Sequence, residues 1–82
     1  MLKDIKTIKK DILDKFREID AEKDDILPEN WLIKDYLPNL NSFERNNLNQ
    51  AIKELTSQGL TTNTKHPTLN LKLTEKGANL IS

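Results

Sequence analysis

Asn49-Gln50-Ala51-Ile52-Lys53-Glu54-Leu55-Thr56-Ser57-Gln58-Gly59-Leu60 reads as the closing turns of a helix and its exit. With Leu48 just upstream, Ala51, Ile52 and Leu55 recur at spacings of three and four, which puts them on one helical face. Gly59 stands where a left-handed C-cap is wanted, a conformation that a residue without Cβ enters freely. Upstream, Pro38-Asn39-Leu40-Asn41 reads as a tight turn. Asn41 is a good N-cap, and Glu44 three residues on completes a capping-box-like pair. A helix is therefore predicted over about 42–58. Opposite its apolar stripe lie Asn46, Gln50, Lys53 and Ser57, with Asn49 at the border.

Past Gly59 the period changes. Leu60-Thr61-Thr62-Asn63-Thr64 is β-prone, Lys65-His66-Pro67 reads as a turn, and Thr68-Leu69-Asn70-Leu71-Lys72-Leu73 alternates, with Leu69, Leu71 and Leu73 on one face. Two short strands around a tight turn make a β-hairpin. Thr74 then caps a short final helix or turn, from which Ala78, Leu80 and Ile81 are able to pack back.

Working towards the N-terminus, Ile26-Leu27-Pro28 suggests a very short strand, because Pro28 pushes Leu27 towards extended backbone and suits the first position of a helix. That helix is predicted over about 28–36, with Trp31, Leu32 and Tyr36 as its apolar positions and Pro38 as its stop. Trp31 and Tyr36 read as core anchors with polar tips at the surface. Ahead of it, Leu2, Ile5, Ile8, Ile12, Phe16 and Ile19 give the strongest periodic signal in the chain. They predict a long amphipathic helix ending near Ala21 or Glu22. Its stripe is read as core, although the heptad-like spacing of Ile5, Ile8 and Ile12 would also fit a dimer seam.

Helix, short strand, helix, turn, helix and hairpin is the element order of a winged-helix domain. The local text agrees. Ala51, Leu55, Gly59 and Leu60 resemble the "A-x-x-x-L-x-x-x-G-L" end of a winged-helix recognition helix entering the first wing strand. Leu73-Thr74-Glu75-Lys76-Gly77 is similar to the "L-T-x-K-G" that closes the wing in many small prokaryotic transcriptional regulators. The two stretches together cover residues 42 to 80, about half the chain. The resemblance implies an α+β, mostly α fold: a three-helix winged-helix domain with a two-stranded β-hairpin wing and a short C-terminal helix, spanning 1–82 as one domain. It also implies a transcriptional regulator or accessory factor, with the helix at 42–58 in the major groove of double-stranded DNA and the 65–66 wing tip on the backbone.

Composition narrows the alternatives. The chain has 82 residues, 35% hydrophobic and 32% charged, with no cysteine, which excludes disulfides and thiolate metal sites. The longest apolar run, Trp31-Leu32-Ile33, is far too short for a membrane span. A cytoplasmic location is the default expectation. The 13 basic and 13 acidic side chains cancel but are unevenly placed. Residues 21–40 hold two basic and five acidic groups, whereas 41–82 hold five basic and three acidic, plus His66. Zero net charge argues against strong nonspecific DNA binding, which depends on phosphate neutralisation.

The sharpest candidate surface is the outward face of the helix at 42–58. Asn and Gln pair with adenine in bidentate fashion, and Arg or Lys with guanine or phosphate. Arg45, Asn46, Asn49, Gln50 and Lys53 are the candidate DNA contacts there, with Lys65 and His66 at the hairpin tip. Glu44 and Glu54 on the same helix count against them. The same face would also serve as a protein interface, or simply as solvated surface. In the protein-interaction reading, with a partner or a second copy, the acidic Asp24, Asp25, Glu29 and Asp35 gain equal weight. Catalytic chemistry has little to stand on, and no enzyme activity, cofactor or small-molecule substrate is expected. His66 has no second histidine or cysteine with which to share a metal. Asp24-Asp25 lacks a sheltered cleft. Gly59 and Gly77 are too far apart for a phosphate-cradling loop.

Overall fold

Asp4 starts the first helix, α1 (Ile5–Glu18), by accepting the backbone N–H of Thr7 on its carboxylate at 2.8 Å. A computed structural model of the chain describes residues 2–64 and 70–82. Among these the fold is α+β and mostly helical. A wide π-helical turn (Trp31–Tyr36) runs into a 3₁₀ turn (Leu37–Asn39) and is followed by α2 (Ser42–Ser57), β1 (Thr61–Thr64), β2 (Asn70–Leu73) and α3 (Glu75–Ile81). No helix of the described residues is long and apolar enough to cross a membrane.

α1 is shorter than its periodicity predicts. Leu2 lies ahead of the Asp4 cap and is exposed. At the other end Asp20 takes a left-handed φ of 52°, and the Ala21 N–H turns back to the Phe16 carbonyl at 2.9 Å. The helix therefore stops at Glu18 rather than near Ala21 or Glu22, and Ile19 is left exposed. The apolar pattern runs past both ends because periodicity reports hydrophobic spacing and says nothing of where a cap closes the ladder.

The second helix differs in kind. The Leu37 N–H reaches back five residues to the Leu32 carbonyl, the bond of a π turn. The π turn ends at Tyr36, the predicted bound, and Pro38 lies inside the 3₁₀ turn that follows. Widening the turn brings residues five apart together, so the Trp31 and Tyr36 rings meet with centroids 4.8 Å apart. Tyr36 is buried and its hydroxyl donates to Asp11 Oδ2 at 2.7 Å, while Trp31 is half-buried.

β1 and β2 pair antiparallel, Thr61 opposite Leu73 and Asn63 opposite Leu71. Residues 24–27 flank the other edge of β2. Ile26 bridges to Lys72, and 2.8 Å bonds run from Asp24 N–H to Leu73 O, from Leu73 N–H to Asp25 O, and from Leu27 N–H to Leu71 O. The short strand expected at Ile26-Leu27 is thus a paired edge, and β2 is held from both sides. The predicted turn Lys65-His66-Pro67 and the start of its second strand, Thr68-Leu69, lie outside the described residues.

One core joins these elements. Ile8, Ile12 and Phe16 of α1 meet Leu48, Ala51, Ile52 and Leu55 of α2, Leu71 and Leu73 of β2, and Leu27, Leu32, Leu40 and Leu60. Ile5, Leu13, Ala78 and Ile81 pack on its margin, whereas Leu80 points outward and does not join it.

The two short motifs around Gly59 and Thr74 touch. The Thr74 hydroxyl lies 2.6 Å from the Gly59 carbonyl and 3.0 Å from that of Leu60, and it accepts the Gly77 N–H at 3.0 Å. Gly77 is buried at the closest approach: a Cβ there would strike the Leu60 carbonyl oxygen and Leu73 Cδ1. Gly59, with φ of 76°, makes the left-handed exit from α2. These residues are therefore a clasp between the end of α2 and the start of α3.

Candidate nucleic-acid interface

α2 is fixed at both ends and along its inner stripe. Asn41 and Glu44 form a full capping box. The Asn41 side chain accepts the Glu44 N–H at 2.8 Å, and Glu44 Oε1 accepts the Asn41 N–H at 3.1 Å. Glu44 Oε2 also takes the Lys3 N–H at 2.9 Å, and Asn47 Nδ2 donates to the Lys3 carbonyl at 3.0 Å. The segment ahead of α1 is thereby tied to the first turns of α2. The Asn41 and Lys3 N–H donors hold the Glu44 carboxyl below the usual carboxylate range.

Glu44 is only 8% exposed, turned towards the core side of the helix. The second acid of α2, Glu54, is paired with Lys9 of α1 at 3.1 Å. Both negative charges that count against phosphate binding are thus engaged by neighbouring elements.

Arg45, Asn46, Asn49, Gln50 and Lys53 are all exposed, and none makes a side-chain hydrogen bond or ion pair with another described residue. Asn46, Gln50 and Lys53 share the outward face. Asn49 sits at its border and Arg45 on the flank, about 120° round the helix from its middle. Lys65 and His66 lie outside the described residues.

Phe43 was not among the sequence candidates, yet it belongs to this surface. It is 56% exposed in the first turn of α2. Spaced three and seven residues before Asn46 and Gln50, it falls on their side of the helix. The legible signal is its phase, since Phe43 does not match the stripe of Leu48, Ala51, Ile52 and Leu55.

A concave surface lies between α1 and the π turn, with a volume of about 160 Å³, and is lined by Lys3, Asp11, Asp14, Lys15, Glu18, Trp31 and Tyr36. Its charges are internally matched. Lys3 meets Asp11 at 2.7 Å, Lys10 and Arg17 meet Asp14 at 2.7 and 2.6 Å, and Lys15 meets Glu18 at 3.4 Å. Lys3 and Lys15 also cover the Tyr36 and Trp31 rings, 4.6 and 5.6 Å from the centroids. Burial, and then the hydrogen bond to Asp11, push the Tyr36 phenol above its ordinary value. Asp24 and Asp25 are exposed, and Asp25 caps its own loop by accepting the Glu22 N–H at 2.8 Å. Among the described residues no group of three histidine, cysteine or carboxylate side chains is placed to hold a metal.

Compared with models of protein families, with characterised proteins and with solved structures, the chain has no match.

Proposed function

We propose that this chain is a winged-helix DNA-binding module without catalytic activity, acting as a transcriptional regulator or accessory factor, with α2 as the helix that enters the major groove. The observation that carries the reading is the division of α2 into two chemistries. Its acids are taken up by the Asn41–Lys3 cap and by Lys9, while its amides and cations stand exposed without internal partners among the described residues. A groove-reading helix needs that division, because a free carboxylate would repel phosphate and an amide held internally is not free to turn its donor and acceptor together to a base edge.

The element order supports the same reading. So does the edge pairing of residues 24–27 with β2, which supplies the short strand that a winged helix carries between its first two helices. The 16 residues of α2 extend for about 24 Å, ample for a groove crossing.

The test is a titration of isotope-labelled protein with a mixed-sequence duplex, following backbone amide shifts at low and near-physiological salt. Shifts concentrated on Arg45 to Lys53 that fade as salt rises are the expected result. Unmoved amides at low salt would reject the reading and turn attention to a protein partner.

A further inference from the structure

Resting on the DNA reading of α2, we propose that this helix selects A·T base pairs, with Phe43 packing on a thymine methyl group and Asn46 and Gln50 meeting adenine edges. The first observation is Phe43 itself. It is a large apolar side chain left more than half exposed, outside the core, on a helix whose inner stripe is otherwise well buried. The major groove presents one apolar group to such a side chain, the thymine methyl.

The second observation is what surrounds it. At 3.6 residues per turn Phe43, Asn46 and Gln50 fall within an arc of about 60°. Both amides match the N6/N7 edge of adenine. Guanine is read chiefly by a bidentate cation, and Arg45 lies on the helix flank, placed for a backbone phosphate rather than a base. Lys53, on the outward face but three turns on from Phe43, is a point charge without Arg's planar fork. Asn47 is held by the Lys3 carbonyl. What remains in the middle of the face is one aromatic and two amides.

Spacing agrees. Phe43 to Gln50 is a rise of about 10 Å along the helix axis, close to three base-pair steps of about 3.4 Å. In helix-turn-helix docking the N-terminal residues of the recognition helix are the ones that meet base edges, and Phe43 and Asn46 sit in its first two turns.

The test uses three duplexes of equal length: mixed-order A·T pairs, the same duplex with uracil for thymine, and mixed-order G·C pairs. Binding of the full chain is followed by fluorescence anisotropy over a range of salt. The A·T duplex should bind about fivefold or more tighter than G·C, the lower range for one good base contact. Replacing thymine by uracil removes only the methyl groups and should weaken binding about fourfold, as for one buried methyl-sized group. In Phe43→Ala, whose site is exposed so that the melting curve should be unchanged, thymine and uracil duplexes should bind alike. Lys53→Glu should weaken all three duplexes together and preserve their ratios. Salt-dependent binding that does not distinguish thymine from uracil in the wild type would overturn the base assignment and leave the DNA reading standing. No binding to any duplex would overturn both.

Discussion

Single residues at the clasp between α2 and α3 separate two reasons for a glycine. At Gly77 the obstacle is space, since a Cβ would collide with the Leu60 carbonyl and Leu73 Cδ1. Gly77→Ala should lower stability by about 1–3 kcal/mol, the usual range for overpacking. At Gly59 there is room, with Lys76 Cδ 3.7 Å from the added atom, and the obstacle is the φ of 76°. Gly59→Ala should lose about 1–2 kcal/mol for left-handed backbone alone. Urea unfolding of the two variants checks both, and Gly59→Asn should recover part of the second loss but have no counterpart at Gly77. Thr74→Val removes the acceptor of the Gly77 N–H and should lose about 0.5–2 kcal/mol, whereas Thr74→Ser should stay near wild type.

Among the elements, α2 was the most legible in the sequence, because its signals agree. The Leu48–Leu55 stripe, the Asn41/Glu44 box and Gly59 each mark the same helix, and Ser42–Ser57 lies within one residue of the predicted 42–58. Elsewhere only one kind of signal spoke. Apolar spacing carried α1 through Leu2 and Ile19, where the Asp4 cap and the left-handed Asp20 exclude it. A π turn has no distinct sequence period, so the sequence marks Trp31 and Tyr36 as anchors without revealing that their rings meet. The candidate surface was legible as a set of amides and cations, but the burial of Glu44 and the pairing of Glu54 with Lys9 are tertiary facts that no helical wheel contains. The cap also predicts a pH dependence. The Glu44 carboxyl lies below its ordinary 4.5 in the folded chain. Its stabilising contribution is therefore complete above the unfolded value and is lost as pH falls through the lowered folded one. Asp4, through the Thr7 side chain and then the Thr7 N–H, and Asp14, through Lys10 and then Arg17, act in the same direction from 3.8. Thermal melts from about pH 6 to about pH 3 should show a smaller loss of stability for Glu44→Gln than for the wild type, over the same acid interval.

Across the whole molecule, zero net charge conceals a division of labour. Five basic residues of the first half, Lys3, Lys9, Lys10, Lys15 and Arg17, are paired with carboxylates, while Arg45 and Lys53 on α2 have no such partner among the described residues. On the proposed DNA reading, the salt dependence of affinity should accordingly be shallow. Lys53→Glu should reduce the log–log slope by about one, a change read from titrations at several salt concentrations. Lys10→Gln, which removes a cation already held by Asp14, should leave that slope near wild type. The attachment of Lys3 to Glu44 and Asn47 has a practical side. Any polypeptide joined ahead of that residue departs beside the opening turns of α2, at Glu44 and Asn47. Ser82 instead borders Arg17, Asp20 and Ala21 at the far end of α1. A fluorophore, purification tag or tether belongs on that terminus, clear of the Lys3–Glu44 contact that seats the first turn of α2.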